Sequence, residues 1–201
     1  MNQSERRLFL IQSLLKEKTE YQDIDIPAKP ERQRQLLRGL MNVRAPQSTN
    51  AVFLKMQGVY LQGENAAKGI TDVADLAPVQ LGLYLWQGDI TTLRCDAIVN
   101  AANSGMTGCY IPNHRCIDNA IHTFAGVELR LACAELMEQQ GHPEPTGQAK
   151  ITPAFNLPCR YVLHTVGPII SGRVTKEDKE LLASCYRSCL ELAAENGLES
   201  V

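Results

Sequence analysis

Between Cys109 and His122 the chain reads CYIPNHRCIDNAIH, two thiols and two imidazoles with the carboxylate of Asp118 among them. Cys109, His114 and Cys116 have the spacing C-x4-H-x-C. Thiolates and neutral imidazole are ordinary Zn²⁺ ligands. A structural zinc closes with a fourth protein ligand, whereas a catalytic zinc keeps one position for water or substrate. The nearest spare donors are His122 and Cys133, both in the helical stretch that follows. His122 lies about one turn beyond Asp118 and Cys133 roughly four turns along, so the ligand count favours an open, catalytic-type site. A closed structural site and an unligated loop are the alternatives. Asp118 opens the helix, where a carboxylate also meets the helix dipole and orphan N–H groups.

Two further stretches carry site chemistry. In GDIT, Gly88 permits close backbone approach, and Asp89 follows a strand candidate, a common place for a turn or cap residue. In NAAN, Asn100 and Asn103 supply amides that both donate and accept, and Asn100 reads as a brace for neighbouring loop backbone. Between Ser104 and Gly108, two glycines let backbone N–H groups point at an anion just before a helix begins.

These residues need a scaffold. The chain has 201 residues, 44% hydrophobic and 21% charged, enough for one sizeable core or one core plus an appended unit. A net charge of -2 without a long basic run argues against nucleic acid as a partner, because that affinity rests on neutralising many phosphates. The opening MNQSERRLFLIQSLLKEKTE is too short and polar for a membrane span or signal peptide and reads as an amphipathic helix, with Leu8, Ile11, Leu14 and Leu15 on one face. A cytoplasmic setting is expected, in which the seven cysteines read as free thiols or metal ligands rather than disulfides.

Residues 1–80 read as a helical extension: the first helix, a second near Glu31–Val43 behind Pro27 and Pro30, a third after RAPQSTN, and a linker or edge segment at ITDVADLAPVQ. Residues 81–201 change character. LGLYLWQGDI and CDAIVNAAN are strand candidates, followed by one helix from Ile117 to Gln140 with Ile117, Ile121, Phe124, Ala125 and Leu129 facing a core. Strands near Gln148–Pro153 and Arg160–Val166 and a helix over Lys176–Asn196, capped by Gly197, complete the pattern. Alternating strands and helices predict an α/β fold with layered helices. His164, in an apolar strand, reads as a satisfied core histidine, and Cys159, Cys185 and Cys189 as packing residues. Trp86 reads as strand-end packing, and His142 takes no role.

WQGDIT, AIVNAANS, CIDNAIHTFAG and TGQAKITPAFNLPCRYVLHTVGP occur here in the order found in macrodomains. Residues 81–201 resemble that family, and MTGCYIPNHRCIDNAIH resembles its zinc-containing subgroup, bacterial and fungal protein-ADP-ribose hydrolases. The resemblance implies a three-layer α/β/α sandwich with an N-terminal helical extension. It also implies a second phosphate-clasping loop of the type Ser-Thr-Gly-x-Phe or Gly-x-Tyr. The final LESV reads as the start of another strand, so a C-terminal strand and that loop are expected to be missing.

What the resemblance implies for residues is specific. Asp89 would accept from the adenine amine beside the Ile90 N–H, and Asn103 would hold the distal ribose hydroxyls. Gly88, Ala101, Thr107 and Gly108 would complete the ADP-ribose contacts. Asp118 and Asn103 would serve catalysis, with one Zn²⁺ on Cys109, His114 and Cys116 binding or positioning the water that attacks the distal ribose. The expected substrate is mono-ADP-ribosylated protein. The N-terminal helices are expected to offer a surface to a protein partner. The alternatives are a module that binds ADP-ribose without cleaving it and an interaction protein that docks through those helices.

Overall fold

The computed structural model describes all of residues 1–201. It begins with a three-helix unit: α1 (Gln3–Leu15), α2 (Pro30–Val43) and α3 (Ala51–Lys68). Asn2 starts α1 in a reciprocal cap with Glu5, Pro30 takes the first position of α2, and Asn50 caps α3 through the Phe53 N–H. Leu10, Ile11, Leu14, Leu37, Leu40, Phe53 and Leu61 bury together, and Val127 from the second half of the chain joins them. Leu8 is only half-buried. Leu10 and the charged Arg7 face inward instead, and Arg7 is satisfied by two bonds to Gln33 Oε1 at 3.0 and 2.9 Å.

Short strands β1 (Thr71–Asp72), β2 (Pro78–Gln80), β3 (Leu83–Tyr84) and β4 (Leu93–Arg94) follow. β1 pairs in parallel with β4, and β2 pairs with β3 as an antiparallel hairpin. The main sheet has the order β5-β7-β6, built from β5 (Ala97–Ala102), β6 (Ala149–Pro153) and β7 (Tyr161–Val166). β5 and β7 run parallel and β6 antiparallel to β7.

The two-residue period of these strands sorts side chains to two faces. Ile98, Val162 and Val166 pack with Ile121, Leu129 and Cys133 of α4 (Ile117–Ala125) and α5 (Val127–Gln140). Ala97 and Leu163 pack with Cys189 and Ala193 of α6 (Lys176–Glu195). Three layers result, helix on sheet on helix. Burying one such Leu or Ile contributes about 1.5–3 kcal/mol. At the end of the chain, the Ser200 carbonyl accepts from Ala97 N at 3.0 Å, laying residues 199–200 beside the start of β5.

Two expectations change. The helix predicted over Ile117–Gln140 is two helices broken at Gly126, whose φ of +98° L side chains rarely adopt. A Cβ there would lie 2.6 Å from Gln57 Nε2, and Gln57 Oε1 accepts from Val127 N at 2.9 Å to satisfy the start of α5. The break serves α3, not the local sequence. Likewise, LGLYLWQGDI does not enter the main sheet. Gly82, at φ +72°, turns the run back on Pro78–Gln80, leaving Leu81 98% and Leu85 82% exposed. No helix is long and apolar enough to cross a membrane.

Candidate functional site

The C-terminal end of β5 and the N-terminal end of α4 meet at Asp118. Asn100 points to the α4 face of β5, and its Nδ2 donates to Asp118 Oδ1 at 2.9 Å. The same amide reaches His164 Nδ1 at 3.2 Å, because Asn100 and His164 are register partners across β5 and β7. An NH₂ group only donates, so His164 carries its proton on Nε2, facing Thr152 Oγ1 at 2.9 Å. Asn103 Nδ2 approaches Asp118 Oδ2 at 3.4 Å and donates to the Gly108 carbonyl at 3.2 Å. Asn100 therefore braces the carboxylate of α4 rather than a loop. Asp118 is 5% exposed. Burial pushes its carboxyl above the usual carboxylate range, against the opposing pull of the Asn100 bond, the Arg130 charge and Asn103.

The loop from Ser104 to Gly108 wraps this pair. Asn103 Oδ1 accepts from Gly105 N at 3.0 Å, and the Asn103 carbonyl accepts from Met106 N at 2.9 Å, which fixes a tight turn. Gly108 sits at φ +82°, and a Cβ there would fall 2.7 Å from the His122 ring. His122 is 4% exposed; its Nε2 lies 3.5 Å from Asp118 Oδ1, yet neither ring nitrogen has a hydrogen-bond partner. Burial holds His122 well below the usual imidazole range, with His164 and Arg130 acting in the same direction. His164 is satisfied and buried as expected, and burial lowers it to about 4.

The three expected metal donors converge. The ligand atoms of Cys109, His114 and Cys116 lie within 4.8 Å of one another, with Cys109 Sγ and His114 Nδ1 3.6 Å apart. Sulfur and nitrogen on one tetrahedral zinc are about 3.5 Å apart, given their usual bond lengths. The Cys109–His114 separation is thus the one a shared zinc would require. His122 and Cys133 do not close it: they group with His164 in a separate, fully buried cluster. Cys116 also starts α4, its Sγ accepting from Asn119 N at 3.4 Å. Burial raises the Cys116 thiol, partly opposed by that N–H.

Four residues absent from the sequence reading hold this loop. Asn119 Nδ2 donates to the Ile111 carbonyl at 3.0 Å. Arg38 from α2 bonds Asn119 Oδ1 at 2.8 Å and the His114 carbonyl at 2.9 Å. Asn42 accepts from Asn113 N at 2.9 Å and donates to Thr123 Oγ1 at 3.0 Å. Arg130 reaches the Thr107 carbonyl at 2.7 Å and those of Asn42 and Arg44 at 2.6 and 2.7 Å. Asn119, adjacent to Asp118 and three residues past Cys116, carried a local signal; the other three carried none.

The second expected cluster lies across α4. Asp89 caps the short 3-10 turn Ile90–Thr92, its Oδ1 accepting from Thr91 N and Oγ1 at 3.0 and 2.6 Å. Lys68 pairs with Oδ2 at 2.9 Å and lies 3.2 Å from the Phe124 ring centre, tying Asp89 to α4. Burial would raise the Asp89 carboxyl, but the Thr91 and Lys68 contacts outweigh it and hold it low. A Cβ on Gly88 would strike the Trp86 ring at 2.1 Å, so the close approach this glycine permits is that of an indole. Ile90 is half-buried; Ala101, near the end of β5, is exposed, and Thr107 is half-buried.

Known proteins agree with this architecture. Over its full length the chain is 62% identical to a protein named Protein-ADP-ribose hydrolase from Treponema medium, covering 78% of that protein. Identity is 46% to a Staphylococcus aureus (strain MSSA476) protein of the same name, over 96% of this chain and 73% of that one. The solved Trypanosoma brucei macrodomain in complex with ADP-ribose is similar at 29% identity and a TM-score of 0.56, with 86% of this chain and 71% of that chain covered. The family profile described as Macro domain matches residues 99–201, and the chain belongs to that family.

Proposed function

We propose that this chain is a zinc-dependent protein-ADP-ribose hydrolase that removes mono-ADP-ribose from modified protein side chains. The observation that carries the reading is a three-donor group, Cys109, His114 and Cys116, two residues ahead of a braced, buried Asp118. A zinc ion bound there would supply Lewis acidity toward a sugar oxygen and place that loop in the zinc-containing subgroup of the family. The relatives named Protein-ADP-ribose hydrolase support the substrate class.

The chain's own residues account for the rest. Asp89 would accept from the adenine amine, and Lys68 fixes the carboxylate for it. The Ile90 N–H lies beside it on the same turn. The glycine-containing turn at Ser104–Gly108, with Thr107 and Ala101 at its edges, would cradle the phosphates and proximal contacts. Asn103 offers its amide to the distal ribose hydroxyls. In the hydrolytic step a water oxygen bonds to the anomeric carbon as the bond to the protein side chain breaks. Asp118 would take the water's proton, and the departing side chain would receive that proton in turn, relayed through solvent, so that the carboxylate is restored. Burial raises the carboxyl, which makes it a stronger base once ionised. Asn100 holds Oδ1, so the carboxylate meets the water in one orientation.

Metal analysis of the purified protein should find one zinc per chain. Cys109→Ala and His114→Ala should each lose the zinc and lower cleavage of mono-ADP-ribosylated protein by about a hundredfold or more, given the several kcal/mol a Lewis acid supplies. Both variants should still bind free ADP-ribose. Full cleavage by a zinc-free protein would refute the metal's role. Zinc and ADP-ribose binding without any cleavage would leave a module that holds the modification.

A further inference from the structure

On the side of the metal loop facing the N-terminal helices, a groove of about 540 Å³ runs between α2, α3 and α4. Leu37, Met41, Leu61 and Phe124 give it an apolar floor. Its charged lining is three arginines, Arg34, Arg38 and Arg115, against one carboxylate, Glu64. Arg34 neutralises Glu64 at 3.0 Å. The Arg38 guanidinium meets only an amide oxygen and a backbone carbonyl, and Arg115 is exposed with no ion pair. Neither the Arg38 nor the Arg115 guanidinium is paired with a carboxylate, on a chain whose net charge is -2.

The position of this excess charge gives it meaning. Asn113 and Arg115 line the groove and flank His114, so the groove begins where the metal donors end. A substrate whose ADP-ribose occupies the glycine loop and Asn103 must lead its protein portion away from Asp118. The groove beside His114 offers that portion a lining with two arginines free of a carboxylate partner. We propose that it holds an acidic stretch of the modified protein next to the residue that carries ADP-ribose. This rests on the hydrolase reading above. Paired charges of this kind set partner choice and encounter more than raw affinity.

The test uses two fluorescent peptides, mono-ADP-ribosylated at the same residue, one with acidic and one with neutral flanks. Binding to the full chain is read by stopped-flow anisotropy before turnover, and cleavage is followed in the same samples. The acidic peptide should bind roughly tenfold tighter, and Arg115→Glu should cut that advantage to within about twofold. Free ADP-ribose should bind both proteins equally. The preference should fade toward 1 M salt, where the Debye length is about 3 Å. Equal binding of the two peptides, or a preference that survives Arg115→Glu, overturns the proposal. So does concentration-dependent dimerisation abolished by the same variant, which would give the groove to a second copy. Cleavage without acidic preference sinks the groove alone. Acidic preference without cleavage sustains the groove and sinks the hydrolase reading.

Discussion

Replacing Arg130 by methionine should unfold this protein more readily than any surface change, for reasons that can be counted. Arg130 is 4% exposed, and its guanidinium makes three short bonds, to the carbonyls of Thr107, Asn42 and Arg44, with longer contacts to those of Met41 and Cys109. It also stacks 4.1 Å from the centre of the Tyr110 ring. Leaving one buried acceptor unpaired costs roughly 1–3 kcal/mol, so three would cost as much as 3–9 if water reached none of them. Against that stands the relief of a buried charge with no carboxylate bonded to it; burial already lowers its pKa. Desolvating an ion costs several kcal/mol even after relaxation. Methionine recovers that penalty while leaving the carbonyls at the end of α2 orphaned. The net expectation is a loss of about 3 kcal/mol, the scale found when one partner of a buried polar contact is removed. For a chain of this size each kcal/mol moves Tm by roughly 2–4 °C, giving a drop of about 6–12 °C. Guanidinium unfolding followed by circular dichroism and by Trp86, the one tryptophan, measures it. Arg130→Lys should recover part of the loss, since an ammonium can reach one pair of carbonyls but not the third. A loss below about 1 kcal/mol for Arg130→Met would show that these contacts cost as much to desolvate as they return.

Two other variants probe the ground beneath Asp118. Gly108→Ala meets a positive φ and a Cβ only 2.7 Å from the buried His122 ring. A loss of roughly 2–3 kcal/mol is expected from backbone strain plus displacement of that ring, and a change within about 0.5 kcal/mol would refute it. His164→Gln tests the buried imidazole, whose folded pKa is about 4. The unfolded value is about 6.5, so between those values the unfolded chain binds a proton that the native state refuses. Native stability therefore falls as pH drops from 6.5 toward 4, by about 3 kcal/mol at full extent. In metal-free protein, urea midpoints over that range should fall less steeply for His164→Gln, and parallel slopes would refute the assignment.

The residues legible in the sequence were those whose meaning is local. Cys109, His114 and Cys116 lie within one loop, so their spacing makes them candidate partners, and the donors do lie within 4.8 Å of one another. Asp118 and the alternation of β5 and β7 are local as well, and the layers on either side of the sheet follow from that alternation. FAGVEL continues the helical period and hides the break at Gly126, where the capping Gln57 lies on another helix. LGLYLW looks like a core strand by composition, yet Gly82 folds it into an exposed hairpin. Asparagine usually bonds nearby backbone, which suggests a loop brace at Asn100, whereas its partners are Asp118 and His164. No local pattern encodes a bond across eighteen or sixty-four residues.

The same logic explains why α2 matters to the site. Arg38 and Asn42 reach the loop at His114, Asn119, Asn113 and Thr123, and Arg130 ties the carbonyl end of α2 to Thr107 and Cys109. Asn113, between Cys109 and His114, has a positive φ of 56°, and its N–H is held by Asn42. A three-donor loop with few internal bonds would otherwise sample many geometries, each costing metal affinity when one is fixed. Supporting contacts of this kind around metal ligands are commonly worth 10–100-fold in affinity. On the proposed reading, the helices before the sheet would act on the chemistry through geometry, by holding His114 and Cys109 3.6 Å apart.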